Sequence, residues 1–135
     1  MKFKGSIIIT DPCYIIPGNS DNDWEKCEYG ENMEVLGFSN YLTSGTEYGD
    51  WSCTTFETNT GTVLGEFCAD AGLVSVFLLD DVLKYNPKFD YHINRLWTTT
   101  LIENFDGDIE ITRRNGEVSV VGTGNVNFYT TQTGF

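Results

Sequence analysis

Seven residues of this chain have the types needed to hold a small nucleotide-like molecule: Asp11, Tyr14, Trp51, Asp70, Ala71, Gly72 and Arg95. A carboxylate accepts hydrogen bonds from a ribose, phenol and indole rings stack on a base, and a guanidinium or backbone N–H groups meet phosphate oxygens. Asp70 is the most distinctive, because Gly65-Glu-Phe-Cys-Ala-Asp-Ala-Gly72 surrounds it with small residues just before the apolar run Leu73 to Leu79. That pattern predicts a tight turn or a crowded backbone crossing. Asp11 precedes Pro12 at the end of the first apolar run, with Tyr14 three residues on. Arg113 and Arg114 are alternative cations, although on so acidic a chain an arginine is equally suited to a surface ion pair.

Other chemistries find less to work with. His92 is the only histidine and stands in Phe89-Asp-Tyr-His-Ile93 without a nucleophile motif, so no catalytic residue is assigned. Asp11 and Asp70 form an acid pair suited to hydrolysis only where the fold brings them together. Asn19, Asp21 and Asp23 alternate as in a calcium loop, but Trp24 replaces the required glycine and Gly30 stands at the twelfth position. Gly122-Thr-Gly-Asn125 lacks the lysine and following helix of a phosphate loop and reads as a turn. Four widely spaced cysteines, Cys13, Cys27, Cys53 and Cys68, contain no Cys-x-x-Cys pair, so free thiols are expected, with no metal and no cofactor.

The elements that must position these residues are mostly strands. Phe3 to Thr10 predicts a strand with Ile7 and Ile9 on one face and Ile8 on the other, stopped by Asp-Pro and extended beyond a kink by Tyr14 to Ile16. Pro17 to Asp23 is loop by composition, a short helix begins near Asp23, and a further turn occupies Glu31 to Leu36. Trp51 to Phe56 and Thr62 to Cys68 predict a hairpin about Thr58-Asn-Thr-Gly61. The near-continuous apolarity of Leu73 to Leu79 predicts a central strand buried on both faces, followed by a short helix from Asp80 to Tyr85. Asn115-Gly116 predicts a two-residue turn that sets Arg114 against Glu117 and Ile111 against Val120. Asp106 to Glu110 reads as a turn feeding that hairpin, and Val126 to Thr131 as a last strand. The expected fold is one β-rich α+β domain over residues 1–135, a mainly antiparallel sheet of about seven strands with one or two short helices.

Composition supports a packed core. Of the 135 residues 40% are apolar and 14% aromatic, enough to fold without a metal or disulfide. The formal charge of −12 argues against direct binding to nucleic acid or an anionic membrane, since both surfaces are negative. After Met-Lys-Phe-Lys, the apolar run Ile7 to Ile9 is too short for a secretory segment, so the cytosol is the expected location. Nine Phe, seven Tyr and three Trp supply more rings than a small core obviously needs, which leaves some for a pocket or partner surface.

Two motifs carry a resemblance. Ile9-Thr-Asp-Pro-Cys-Tyr-Ile15 and Gly65-x-Phe-Cys-Ala-Asp-Ala-Gly72, the latter followed by Asp-Asp-Val-Leu-Lys-Tyr-Asn-Pro87, resemble small uncharacterised proteins of phages and gut bacteria. A bacterial family of unknown function has a remotely similar Gly-x-x-x-Val-Asp-Ala-Gly pattern, in which Ala69 here replaces the valine. The resemblance implies phage or bacterial origin and brings no catalytic residue with it.

The expected function is therefore a non-enzymatic, phage-type protein that sequesters a small polar, nucleotide-derived immune signal, its site shared between subunits of a homo-oligomer if one forms. Two alternatives stand beside it. Asp21, Asp23, Glu25, Glu28, Glu31 and Glu34, opposed only by Lys26, form an acidic run that can mimic a phosphate backbone and inhibit a host defence enzyme. The chain can also be a hydrolase of the same signal.

Overall fold

A computed structural model describes residues 1–12, 15, 37–45, 53–68, 73–89, 99–114, 117–124 and 129–133. In chain order the elements are β1 (Lys2–Thr10), β2 (Tyr41–Gly45), β3 (Cys53–Thr58), β4 (Val63–Cys68), β5 (Leu73–Leu78), α1 (Leu79–Tyr85), β6 (Thr99–Arg114), β7 (Glu117–Gly124) and β8 (Tyr129–Thr133). The strands join in the order β2-β5-β1-β6-β7-β3-β4, and β8 also pairs with β6. The chain is thus β-rich α+β, with eight strands and one helix among the described residues rather than about seven strands. The sheet is mainly antiparallel but mixed, because β3 runs parallel to β7.

The shape of the sheet follows from β6, which is 16 residues long. One edge pairs with β1 from Thr99 to Asp108, while the other pairs first with β8 and then with β7. Between the β8 and β7 stretches Asn104 takes a positive φ of 58°. Across from it, β1 shifts register between Gly5 and Ile7, with Gly5 at φ 120°. A bulge facing a left-handed residue bends both strands at one level, which lets a sheet turn a corner. The sheet folds over there, and β4 returns near β8.

Two apolar layers result. Inside the fold-over, Phe3, Ile7 and Ile9 of β1 pack with Val74 and Val76 of β5, Ile102, Phe105 and Ile109 of β6, Phe56 of β3, and Val118 and Val120 of β7. On the opposite face Ile8, Phe77 and Leu101 meet Val82 of α1 together with Ile15, Phe38 and Phe89. The Phe38 ring lies 5.0 Å from that of Phe77 and 5.7 Å from that of Tyr85, both tilted. The alternation of Ile7, Ile8 and Ile9 therefore serves both layers, and β5 is buried on both faces between β2 and β1, as its apolar run predicts.

Helix α1 begins with Asp80 and Asp81 and carries Lys84 in its last turn, an arrangement matched to the helix dipole. The Asp81 Oδ2 accepts the backbone N–H and the hydroxyl of Ser39 at 3.0 and 2.9 Å, fastening the helix to the segment before β2. At the far end the Asn86 N–H donates to the Val82 carbonyl, and Pro87 stops the helix. No helix among the described residues is long and apolar enough to cross a membrane.

Several sequence expectations are corrected. Asp106 to Glu110 is no turn but the interior of β6, where exposed Asp106, Asp108 and Glu110 alternate with buried Ile109. Gly122 to Gly124 completes β7 instead of turning. β1 ends at Thr10 and the Ile15 N–H donates to the Pro12 carbonyl at 3.0 Å, while Tyr14 and Ile16 of the expected extension lie outside the described residues. β2 was not predicted. The loop at Pro17 to Asp23, the helix near Asp23 and the turn at Glu31 to Leu36 lie outside the described residues.

Candidate functional site

At the end of β1 the sheet carries a row of hydroxyl residues. Thr43, Ser75, Thr10 and Thr99 occupy matching register positions on β2, β5, β1 and β6, and Thr133 of β8 continues the row. Ser75 Oγ donates to Thr43 Oγ1 at 3.1 Å, and the hydroxyls of Thr10 and Thr99 lie 3.0 Å apart. Thr10, Ser75 and Thr99 are wholly buried. Buried hydroxyls are tolerated in a core when they satisfy one another, and this row does so across adjacent strands. Thr100, also buried, finds no hydrogen-bond partner for Oγ1 among the described residues, a deficit of roughly 1–3 kcal/mol for a buried polar group.

Asp11 follows directly. It is 0% exposed, yet carries a carboxylate. Its Oδ2 accepts the backbone N–H of Leu73, the first residue of β5, at 3.3 Å, and the Thr10 hydroxyl donates to its carbonyl at 3.4 Å. A carboxylate that accepts a backbone N–H across a sequence gap of 62 residues is a clamp between two chain segments. One is the exit of β1, where Asp-Pro stops the ladder; the other is the entry to β5, immediately after Gly72.

Of the residues singled out in the sequence, Asp11 is described; Tyr14, Trp51, Asp70, Ala71, Gly72 and Arg95 lie outside the described residues. The strand ends nevertheless constrain what the chain can bring together. Gly72 is bonded to Leu73, whose N–H is held by Asp11. Arg95 precedes Thr99 by four residues, a reach of at most about 14 Å, and Thr99 lies beside Thr10. Cys53 of β3 faces Cys68 of β4, so the segments carrying Trp51 and Asp70 leave the same end of that hairpin. Asp11 itself is buried, with its Oδ2 turned to the Leu73 N–H rather than to an open surface.

Sequence reasoning missed the hydroxyl row. Its one local signal was a small polar residue inside an apolar run, as in Leu-Val-Ser-Val-Phe-Leu of β5. No group of three or more His, Cys, Asp or Glu side chains suited to a metal ion gathers among the described residues.

The clamp makes a prediction about stability. Asp11→Ala leaves the Leu73 N–H buried without its acceptor and is expected to lower unfolding free energy by about 1–3 kcal/mol in urea titrations. Asp11→Asn keeps a carbonyl oxygen at the same place and should lose less than the alanine variant. Hydrogen exchange at the Leu73 amide should accelerate in the alanine variant by more than at Ile9 or Phe77. Equal losses in both variants would show that the carbonyl acceptor is not what matters at this position.

No known protein family, curated protein or solved structure matches this chain.

Proposed function

We propose that this chain is a non-enzymatic binding protein of phage type that sequesters a small polar, nucleotide-derived immune signal in the bacterial cytosol. The observation that carries the proposal is the Asp11 clamp, which ties the β1 exit leading to Tyr14 to the β5 entry that follows Asp70, Ala71 and Gly72. A binding site assembled from chain segments far apart in sequence needs such a tie, because ordering each segment separately costs conformational entropy at the moment of binding. Within the proposal Asp70 meets ribose hydroxyls, Tyr14 and Trp51 stack on the base, and Arg95 with the backbone at Ala71 and Gly72 meets phosphate. A second copy of the chain can complete the enclosure.

The competing function is inhibition of a host enzyme by charge mimicry. Exposed Glu103, Asp106, Asp108 and Glu110 on β6 favour it, although Lys2 and Lys4 face Asp108 and Asp106 across the β1 pairing and offset two of the four. Equilibrium dialysis against cyclic oligonucleotides and nucleoside phosphates, repeated between low and high salt, separates the two. Sequestration by stacking and neutral hydrogen bonds predicts retention of a nucleotide with affinity changed only a few-fold by salt. Retention of no nucleotide, together with salt-sensitive capture of a nucleic-acid-binding enzyme, would replace sequestration with mimicry.

A further inference from the structure

We infer that Cys53 and Cys68 form a reversible disulfide site, closed by thiol–disulfide exchange with a low-molecular-weight disulfide of the glutathione class. The two cysteines are 15 positions apart in sequence and occupy facing register positions at the open end of the β3/β4 hairpin. Directly opposed residues of antiparallel strands have Cα atoms about 4.5 to 5.5 Å apart. That span falls within the roughly 4.4 to 6.8 Å that a disulfide bridges without moving the backbone.

The register is held independently of the cysteines. At the closed end of the hairpin the Thr58 N–H donates to the Thr62 carbonyl, the Gly61 N–H donates to the Thr58 carbonyl, and Gly61 takes a φ of 92°. On its other side β3 is pinned to β7 from Thr55 to Thr58. Between that turn and the cysteines the register shifts by one residue at a bulge between Phe56 and Glu57, and the pairs Phe56 with Gly65, Thr55 with Glu66 and Thr54 with Phe67 carry the shifted register to Cys53 and Cys68.

The exchange balances in two steps. One protein thiolate attacks a sulfur of the small disulfide, forming a mixed disulfide and releasing one small thiolate. The second protein thiolate then attacks the protein sulfur of that mixed disulfide, forming the Cys53–Cys68 bond and expelling the second small thiolate. The two protein thiols are oxidised, the small disulfide is reduced to two thiols, and the protons of the cysteines pass to the released thiolates. Closing a loop of about 15 residues mainly constrains the unfolded chain, so the oxidised protein should melt on the order of 10 °C above the reduced one.

The test uses the full chain, equilibrated with graded ratios of oxidised to reduced glutathione, acid-quenched, alkylated and mapped by mass spectrometry without reduction. The expected result is one cross-linked peptide pair joining Cys53 to Cys68, a loss of two hydrogen masses from the intact protein, and recovery of both thiols at the reducing end of the series. Cys53→Ser and Cys68→Ser should each abolish the cross-link and the melting shift. The inference is overturned if both cysteines alkylate separately throughout, if they stop at mixed disulfides, or if either joins Cys13 or Cys27 instead. Mapping of the unsubstituted protein decides the matter even where a serine variant fails to fold.

Discussion

Phe56→Ala is expected to lower the unfolding free energy by about 3–5 kcal/mol, the usual loss for deleting a fully buried ring. Phe56 is 0% exposed and brings β3 into the inner apolar layer, where β1, β5, β6 and β7 also meet. Its ring also occupies the space above Gly122: a methyl group built there would lie 2.8 Å from Phe56 Cζ, 3.1 Å from Cε2 and 3.4 Å from a Phe105 ring atom. Gly122→Ala alone should therefore destabilise by about 1–3 kcal/mol through overpacking. In the Phe56→Ala background the same methyl enters the vacated space, so the double variant should be more stable than the sum of the two losses predicts. A coupling of about 1–3 kcal/mol in a double-mutant cycle, read from urea midpoints, is the expected outcome. Strict additivity would mean that the ring does not cover Gly122.

Gly107→Ala should be comparably damaging for a different reason. Gly107 faces Gly124 across the β6/β7 ladder and Phe3 across the β6/β1 ladder, so the strand is held on both sides. A Cβ at Gly107 would collide with the Thr123 carbonyl oxygen and lie 2.7 Å from Gly124 Cα. These are backbone atoms in a paired strand, which cannot rotate away as a side chain can. Parting β6 from β7 breaks ladder bonds near the corner of the sheet, and a loss of about 3 kcal/mol is expected, with melting lowered on the order of 10 °C. Hydrogen exchange should accelerate first in β7. A variant as stable as the parent would contradict the close approach of these two strands.

The parts of the fold legible in the sequence were those fixed by local chemistry. The Asn115-Gly116 dipeptide set a register that pairs Arg114 with Glu117 and Ile111 with Val120, and the ladder has both pairs. The run Leu73 to Leu79 announced a strand covered on both faces, observed as Leu73–Leu78, and Asp80-Asp81 followed by Pro87 bounded the one helix among the described residues. The first half of β6 was hidden because its pattern is interrupted. Thr99 to Ile102 are buried on both faces, Glu103 and Asn104 are exposed, and alternation resumes only after the left-handed residue. A window crossing that break averages two regimes into none.

Long-range register was illegible for a physical reason. The row Thr43, Ser75, Thr10 and Thr99 joins four strands whose order in the sheet is set by the whole core, not by any turn between them. The parallel pairing of β3 with β7 is hidden for the same cause. The contact between Asp11 and Leu73 illustrates the limit: each residue was singled out or flanked a singled-out segment, but the bond between them depends on β1 and β5 being neighbours. The facing of Cys53 and Cys68 is hidden as well, because the turn at Thr58 to Gly61 sets Glu57 against Val63 and a bulge between Phe56 and Glu57 then shifts the pairing by one residue.

The most direct test of the functional account is to incubate the purified protein with a panel of cyclic oligonucleotides and nucleoside phosphates, remove unbound material, denature by heat and weigh what is released. Sequestration predicts that one nucleotide comes off chemically unchanged and in stoichiometric amount, and that it goes unretained by the Asp11→Ala variant while still folded. Release of a hydrolysed product would make the chain an enzyme, and release of nothing from the whole panel would contradict nucleotide binding outright.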